Sequence, residues 1–95
     1  MDIRVSITET KTLSRTFYIV TAGRTALFSF EIDSLYGWAF RLPGGRRVAS
    51  FDSKEFPRKY FDDLCRATCF VQFGVDEFPE RVLLHKGKKY IENRN

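Results

Sequence analysis

Ninety-five residues, 43% of them apolar, suffice for one compact domain and exclude both a wholly disordered chain and a membrane-embedded one. The net charge of +4 is too mild to demand a polyanionic partner, and no apolar run approaches the ~20 residues that span a bilayer. Two cysteines are too few to staple a small secreted scaffold, and Met1-Asp2-Ile3-Arg4 lacks the basic-then-apolar order of a secretion signal, so the expected compartment is the cytoplasm.

The chain opens with Ile3, Val5 and Ile7 alternating with Arg4, Ser6 and Thr8, the period of a half-buried strand. Glu9 to Thr12 is polar and predicts a turn. Arg15 to Thr21 is rich in β-branched and aromatic residues and predicts a second strand. After Gly23, Thr25 to Ile32 sets Ala26, Phe28, Phe30 and Ile32 on one face. Tyr36 to Leu42 predicts a fourth strand with Trp38 and Phe40 on one side. Pro43-Gly44-Gly45 is the strongest turn signal, because proline presets φ and glycine accepts positive φ. Arg46 to Phe51 completes that hairpin. Short connections between five such strands favour an antiparallel meander.

The period then changes. Asp52 or Ser53 offers a helix cap, and Pro57 suits a first helical turn, so the spacing predicts a helix over 57–68. Tyr60, Phe61, Leu64, Cys65 and Thr68 form its apolar stripe, opposite Arg58, Asp62, Asp63 and Arg66. Phe56, held extended by the proline after it, is set to drop into the core. The same tripeptide at Glu77-Phe78-Pro79 is read as repeated turn chemistry, since two copies do not make a repeat architecture. Cys69 to Phe73 looks like a further strand ended by Gly74. Residues 79–91 read either as a short helix from Pro79 or as a hairpin around Lys86-Gly87, with the hairpin favoured. The expected fold is therefore α+β: an antiparallel meander of about five strands, one amphipathic helix packed on one face, and a short C-terminal hairpin or helix.

Charge is unevenly placed. Residues 1–33 hold four cations and four anions, whereas residues 81–95 hold five cations and one anion. The excess collects at Arg46 and Arg47 on the turn, next to Arg41, and at Lys86, Lys88 and Lys89. A basic tip and tail can steer an acidic partner, or simply keep a small protein soluble.

The residue inventory disfavours most chemistry. No phosphate-cradling GxxxxGK[ST] loop and no GxGxxG dinucleotide turn is present. His85 is the single imidazole, so a histidine-based triad has one candidate and no elbow around either thiol. Cys65 and Cys69, four apart, fall on one helix face, where they read as small core residues, and with a single histidine they do not make a zinc set. Asp62 and Asp63 diverge by about 100° on a helix and cannot converge on one substrate. No cofactor and no metal is expected.

The expected function is a non-catalytic binding or regulatory protein that docks on another macromolecule, a protein or a nucleoprotein complex. In general character it is similar to the small inhibitors and adaptors of phages and mobile elements, although no motif carries that likeness. The expected contact residues are Arg46, Arg47, Arg41, Trp38, Tyr36, Lys86, Lys88 and Lys89, with Trp38 alternatively a core residue. A second reading uses the same hairpin and aromatics to bind single-stranded DNA or RNA. A third is a small basic ribonuclease working with Arg, Tyr and Glu. Self-association through an exposed edge of the meander is a further expected route.

Overall fold

The structure, a computed structural model, describes residues 2–32, 37–73 and 81–84. Five strands follow one another: β1 (Asp2–Lys11), β2 (Thr16–Ala22), β3 (Thr25–Ile32), β4 (Gly37–Arg41) and β5 (Arg47–Asp52). Each pairs antiparallel with the next, which gives the expected meander. Helix α1 (Arg58–Phe73) follows, then β6 (Arg81–Leu84). The sheet order is β5-β4-β3-β2-β1-β6, so β6 lies at the far edge from β5 and runs parallel to β1. A parallel neighbour requires a crossover, and α1 lies on that connection between the two edges.

Register explains which side of the sheet is buried. Ile7↔Val20, Val20↔Phe28, Phe30↔Phe40 and Trp38↔Phe51 are cross-strand partners, and partners share a face. Val5, Val20, Phe28, Phe30, Trp38 and Phe40 are each at most 1% exposed. Onto this face the helix turns Phe61, Cys65 and Cys69, four apart and all buried. Phe56 drops in beside them as its place before Pro57 implied, with ring centroids 5.0 Å from Trp38, 5.2 Å from Phe30 and 5.5 Å from Phe61. At Val20/Thr21 the register shifts, and Leu27 is the extra residue of the β3 side, 1% exposed.

Two expectations are corrected. The first turn is not Glu9 to Thr12: Glu9, Thr10 and Lys11 pair with Tyr18, Phe17 and Thr16, and the turn moves to 12–15. There the Thr12 N–H donates to the Arg15 carbonyl at 2.8 Å, and the Arg15 N–H donates to Thr12 Oγ1 at 3.1 Å. Cys69 to Phe73 is not a strand but the last stretch of α1. Cys69 continues the Phe61–Cys65 stripe by one more turn, so burial overrides the local β-propensity of Phe70 and Val71. The helix begins beside Pro57, as the proline implied, and not at an Asp52 or Ser53 cap. Ser53 Oγ accepts from the Glu55 N–H at 3.1 Å, and the first helical bond runs from the Phe61 N–H to the Pro57 carbonyl at 3.0 Å.

At the C-terminal side, Arg81–Leu84 is a strand, as the hairpin reading required of its first arm, but it pairs with β1. The second arm at 88–91 lies outside the described residues, as does Glu77-Phe78-Pro79. The wet side of α1 is laced by i,i+4 pairs, Arg58–Asp62 and Lys59–Asp63, each at 3.0 Å, with Arg66 also on Asp63. Asp62 and Asp63 thus serve separate cations on the helix surface. Among the described residues no helix is long and apolar enough to cross a membrane.

The buried thiols make the fold pH-sensitive. Burial pushes the Cys65 thiol far above the usual thiol range, and Cys69 upward as well. Because the unfolded thiol loses its proton first, stability is fully present below about pH 8.5 and falls as pH rises, by up to about 1.4 kcal/mol per pH unit for Cys65, with Cys69 acting in the same direction. Urea unfolding at pH 8 and pH 10 checks this: the midpoint should drop, and Cys65→Ala should flatten the drop.

Candidate docking face

No described element packs on the face of the sheet opposite α1. Cross-strand pairing arranges its side chains in rows. One row runs Thr8, Ile19, Ser29, Arg41 and Arg47 across β1 to β5, and beside it Thr10 pairs with Phe17 and Glu31 with Ala39 and, through it, Ser50. Phe17, Ile19, Ser29, Glu31 and Arg41 are half-buried, while Arg47 and Ser50 are exposed. The face is therefore partly apolar at β2 and cationic toward the β4–β5 hairpin.

Two arginines differ in how they are held. Arg15 is engaged: its Nε donates to Glu31 Oε1 at 2.9 Å, and its guanidinium lies 4.4 Å from the centroid of the Phe17 ring. Arg41 has no carboxylate among the described residues. Its Nη1 donates to the Gly45 carbonyl at 3.3 Å, and its Nε is buried without a hydrogen-bond partner. Across the strand pair Arg41 faces Arg47, whose Nη1 donates to Ser50 Oγ at 3.2 Å. Like charges placed opposite one another disfavour a sheet.

The hairpin turn presents these groups. Leu42 N–H donates to the Arg46 carbonyl at 2.8 Å, and Gly45 N–H donates to the Leu42 carbonyl at 2.9 Å, with Gly44 and Gly45 at φ of +97° and +95°. Such φ values suit glycine alone, so this turn cannot take ordinary residues without strain. Between the turn, β2 and β3 lies an open depression of about 330 Å³, lined by Phe17, Ile19, Ser29, Arg15, Arg41 and the Pro43–Gly45 turn, among others.

Of the residues expected to make contact, Arg41, Arg46 and Arg47 are brought together at this hairpin, with Arg46 exposed. Trp38 is corrected from anchor to core: it is 1% exposed on the helix side, against Phe56 and Phe30. Its parity in β4 decides this, since Trp38 and Phe40 share a side and Arg41 takes the other. Tyr36, Lys86, Lys88, Lys89 and His85 lie outside the described residues. Arg15, Phe17 and Ile19 were missed as site residues. Arg15 and Phe17, cation and aromatic two apart at the start of a strand, were the available signal.

The arrangement of Arg41 implies a stability test. Arg41→Gln removes a like-charge opposition and a buried unsatisfied Nε at the loss of one long hydrogen bond. Its folding stability should stay within about 0.5 kcal/mol of the parent or rise. A urea titration reads this directly, and a loss above about 1 kcal/mol would mark Arg41 as structural.

Compared with known protein families, with curated proteins and with solved structures, the chain matches none.

Proposed function

We propose that this protein is a non-catalytic binding module that docks on another macromolecule, a protein or nucleoprotein complex, through the sheet face opposite α1. One observation carries the proposal: a face that no described element covers, on which Arg41 lines a depression with Phe17 and Ile19 and has Arg47 as its cross-strand partner, with Arg46 on the adjoining turn. Arginine next to exposed apolar surface is the composition of a protein interface core and rim. The nucleic-acid reading loses weight. It called on Trp38 as a stacking platform, and Trp38 is in the core. Tyr18 likewise turns to the helix side and stacks on Phe30 at 5.4 Å.

Affinity capture from an extract of the native cells, with and without nuclease, tests the proposal. The parent protein should retain one stoichiometric protein partner after nuclease treatment, and the triple variant Arg41→Gln, Arg46→Gln, Arg47→Gln should lose it. Retention by the triple variant would place the interface elsewhere, and release by nuclease would favour the nucleic-acid reading.

A further inference from the structure

We infer that the depression beside Arg41 takes a carboxylate side chain, together with a neighbouring aliphatic one, from an extended acidic segment of a partner protein. The inference rests on the docking reading above and specifies the partner's chemistry.

Charge complementarity is the first argument. Arg15 is already neutralised by Glu31, whereas neither Arg41 nor the exposed Arg46 has a carboxylate among the described residues. Arg41 is the cation of the hairpin that lines the depression itself. A carboxylate can accept from a guanidinium in bidentate fashion, and the Nη side of Arg41 is bound within the chain only by one long contact, to the Gly45 carbonyl at 3.3 Å. A free anion of the partner supplies what the face lacks.

The apolar side chains set the rest of the ligand. Ile19 lies in the same cross-strand row as Arg41, two strands away, and Phe17 lies in the next row. Strands are about 4.8 Å apart, so cation and apolar surface are offered about 10 Å apart. Residues i and i+2 of an extended peptide lie on one face, about 7 Å apart, and their side chains reach across the difference. A phosphate backbone would meet a less suitable surface. Phe17 has the Arg15 guanidinium over its ring, and the Glu31 carboxylate stands against that guanidinium.

The test uses three fluorescein-labelled peptides of equal length, built from repeats of Glu-Ser-Leu-Ser, Gln-Ser-Leu-Ser and Glu-Ser-Ser-Ser, with an oligothymidylate strand as the nucleic-acid probe. Anisotropy should show the first peptide binding about tenfold tighter than either of the others. Arg41→Met should weaken it about tenfold, while Lys59→Gln on the helix side should leave it within about twofold. Thermal unfolding of Arg41→Met confirms that the variant is folded. Equal binding of the Glu and Gln peptides, no binding of any peptide, or indifference to Arg41→Met would overturn the inference. So would an oligothymidylate that binds more tightly and displaces the peptide. If the peptides fail but the triple arginine variant still loses its captured partner, the docking reading stands and only this inference falls.

Discussion

Replacing Phe30 with alanine is expected to remove a large share of the folding stability, about 3–5 kcal/mol. Phe30 is 1% exposed, and among the described residues five rings surround it, with centroids at 5.4 Å for Tyr18, 6.1 Å for Trp38, 5.6 Å for Phe40, 5.2 Å for Phe56 and 5.9 Å for Phe61. Truncation removes the transfer free energy of a whole ring and leaves a cavity that five rigid neighbours cannot close. Phe→Ala changes in such places cost about 3–5 kcal/mol, and a domain of this size has about 5–14 kcal/mol in total. Urea unfolding followed by tyrosine and tryptophan fluorescence reads the loss as a lower midpoint at unchanged slope. A cost below about 1 kcal/mol would mean that Phe30 is not at the centre of the core.

Phe61→Asp should be as damaging, by a different route. Phe61 is fully buried, edge-on to Phe28 at 5.6 Å and Phe30 at 5.9 Å, and is the point at which α1 is pinned to the sheet. An aspartate there would bury a carboxylate among aromatic rings with no designed partner, at a cost of several kcal/mol. The helix should detach, with loss of near-ultraviolet circular dichroism and gain of dye-accessible apolar surface. Phe61→Leu, which keeps an apolar group of similar volume, should cost under about 1.5 kcal/mol. Equal behaviour of the two variants would contradict this packing of the helix.

Much of this frame is legible in the residues, and particular places show why the rest is not. The Pro43-Gly44-Gly45 turn is unambiguous because turn chemistry and strand period agree there, whereas in Thr25 to Ile32 the expected shared face of Ala26, Phe28, Phe30 and Ile32 is broken by the bulge at Leu27, which leaves Ala26 exposed and buries Leu27 and Phe28 together. Cys69 to Phe73 misleads because its β-branched and aromatic residues favour a strand, while the tertiary contact that makes it helical is one cysteine beneath the sheet. Arg81–Leu84 reads locally as half a hairpin, and its real partner is β1, some eighty positions away in sequence. The hairpin arginines of the site can be found from charge clustering alone. Phe17 has only the cation two residues before it as a signal and Ile19 has none, because Phe17-Tyr18-Ile19-Val20 is an unbroken apolar run that does not reveal which side the helix covers.

That same division of faces is the central claim: one side of the sheet is core and the other is interface. Amide chemical-shift mapping of the labelled protein, titrated with the captured partner, tests it most directly. Perturbations should concentrate at Phe17, Ile19, Ser29 and the hairpin from Arg41 to Arg47, leaving the outward side of α1 around Lys59 and Asp63 unmoved. Perturbations confined to that side of α1, with the hairpin unchanged, would contradict it.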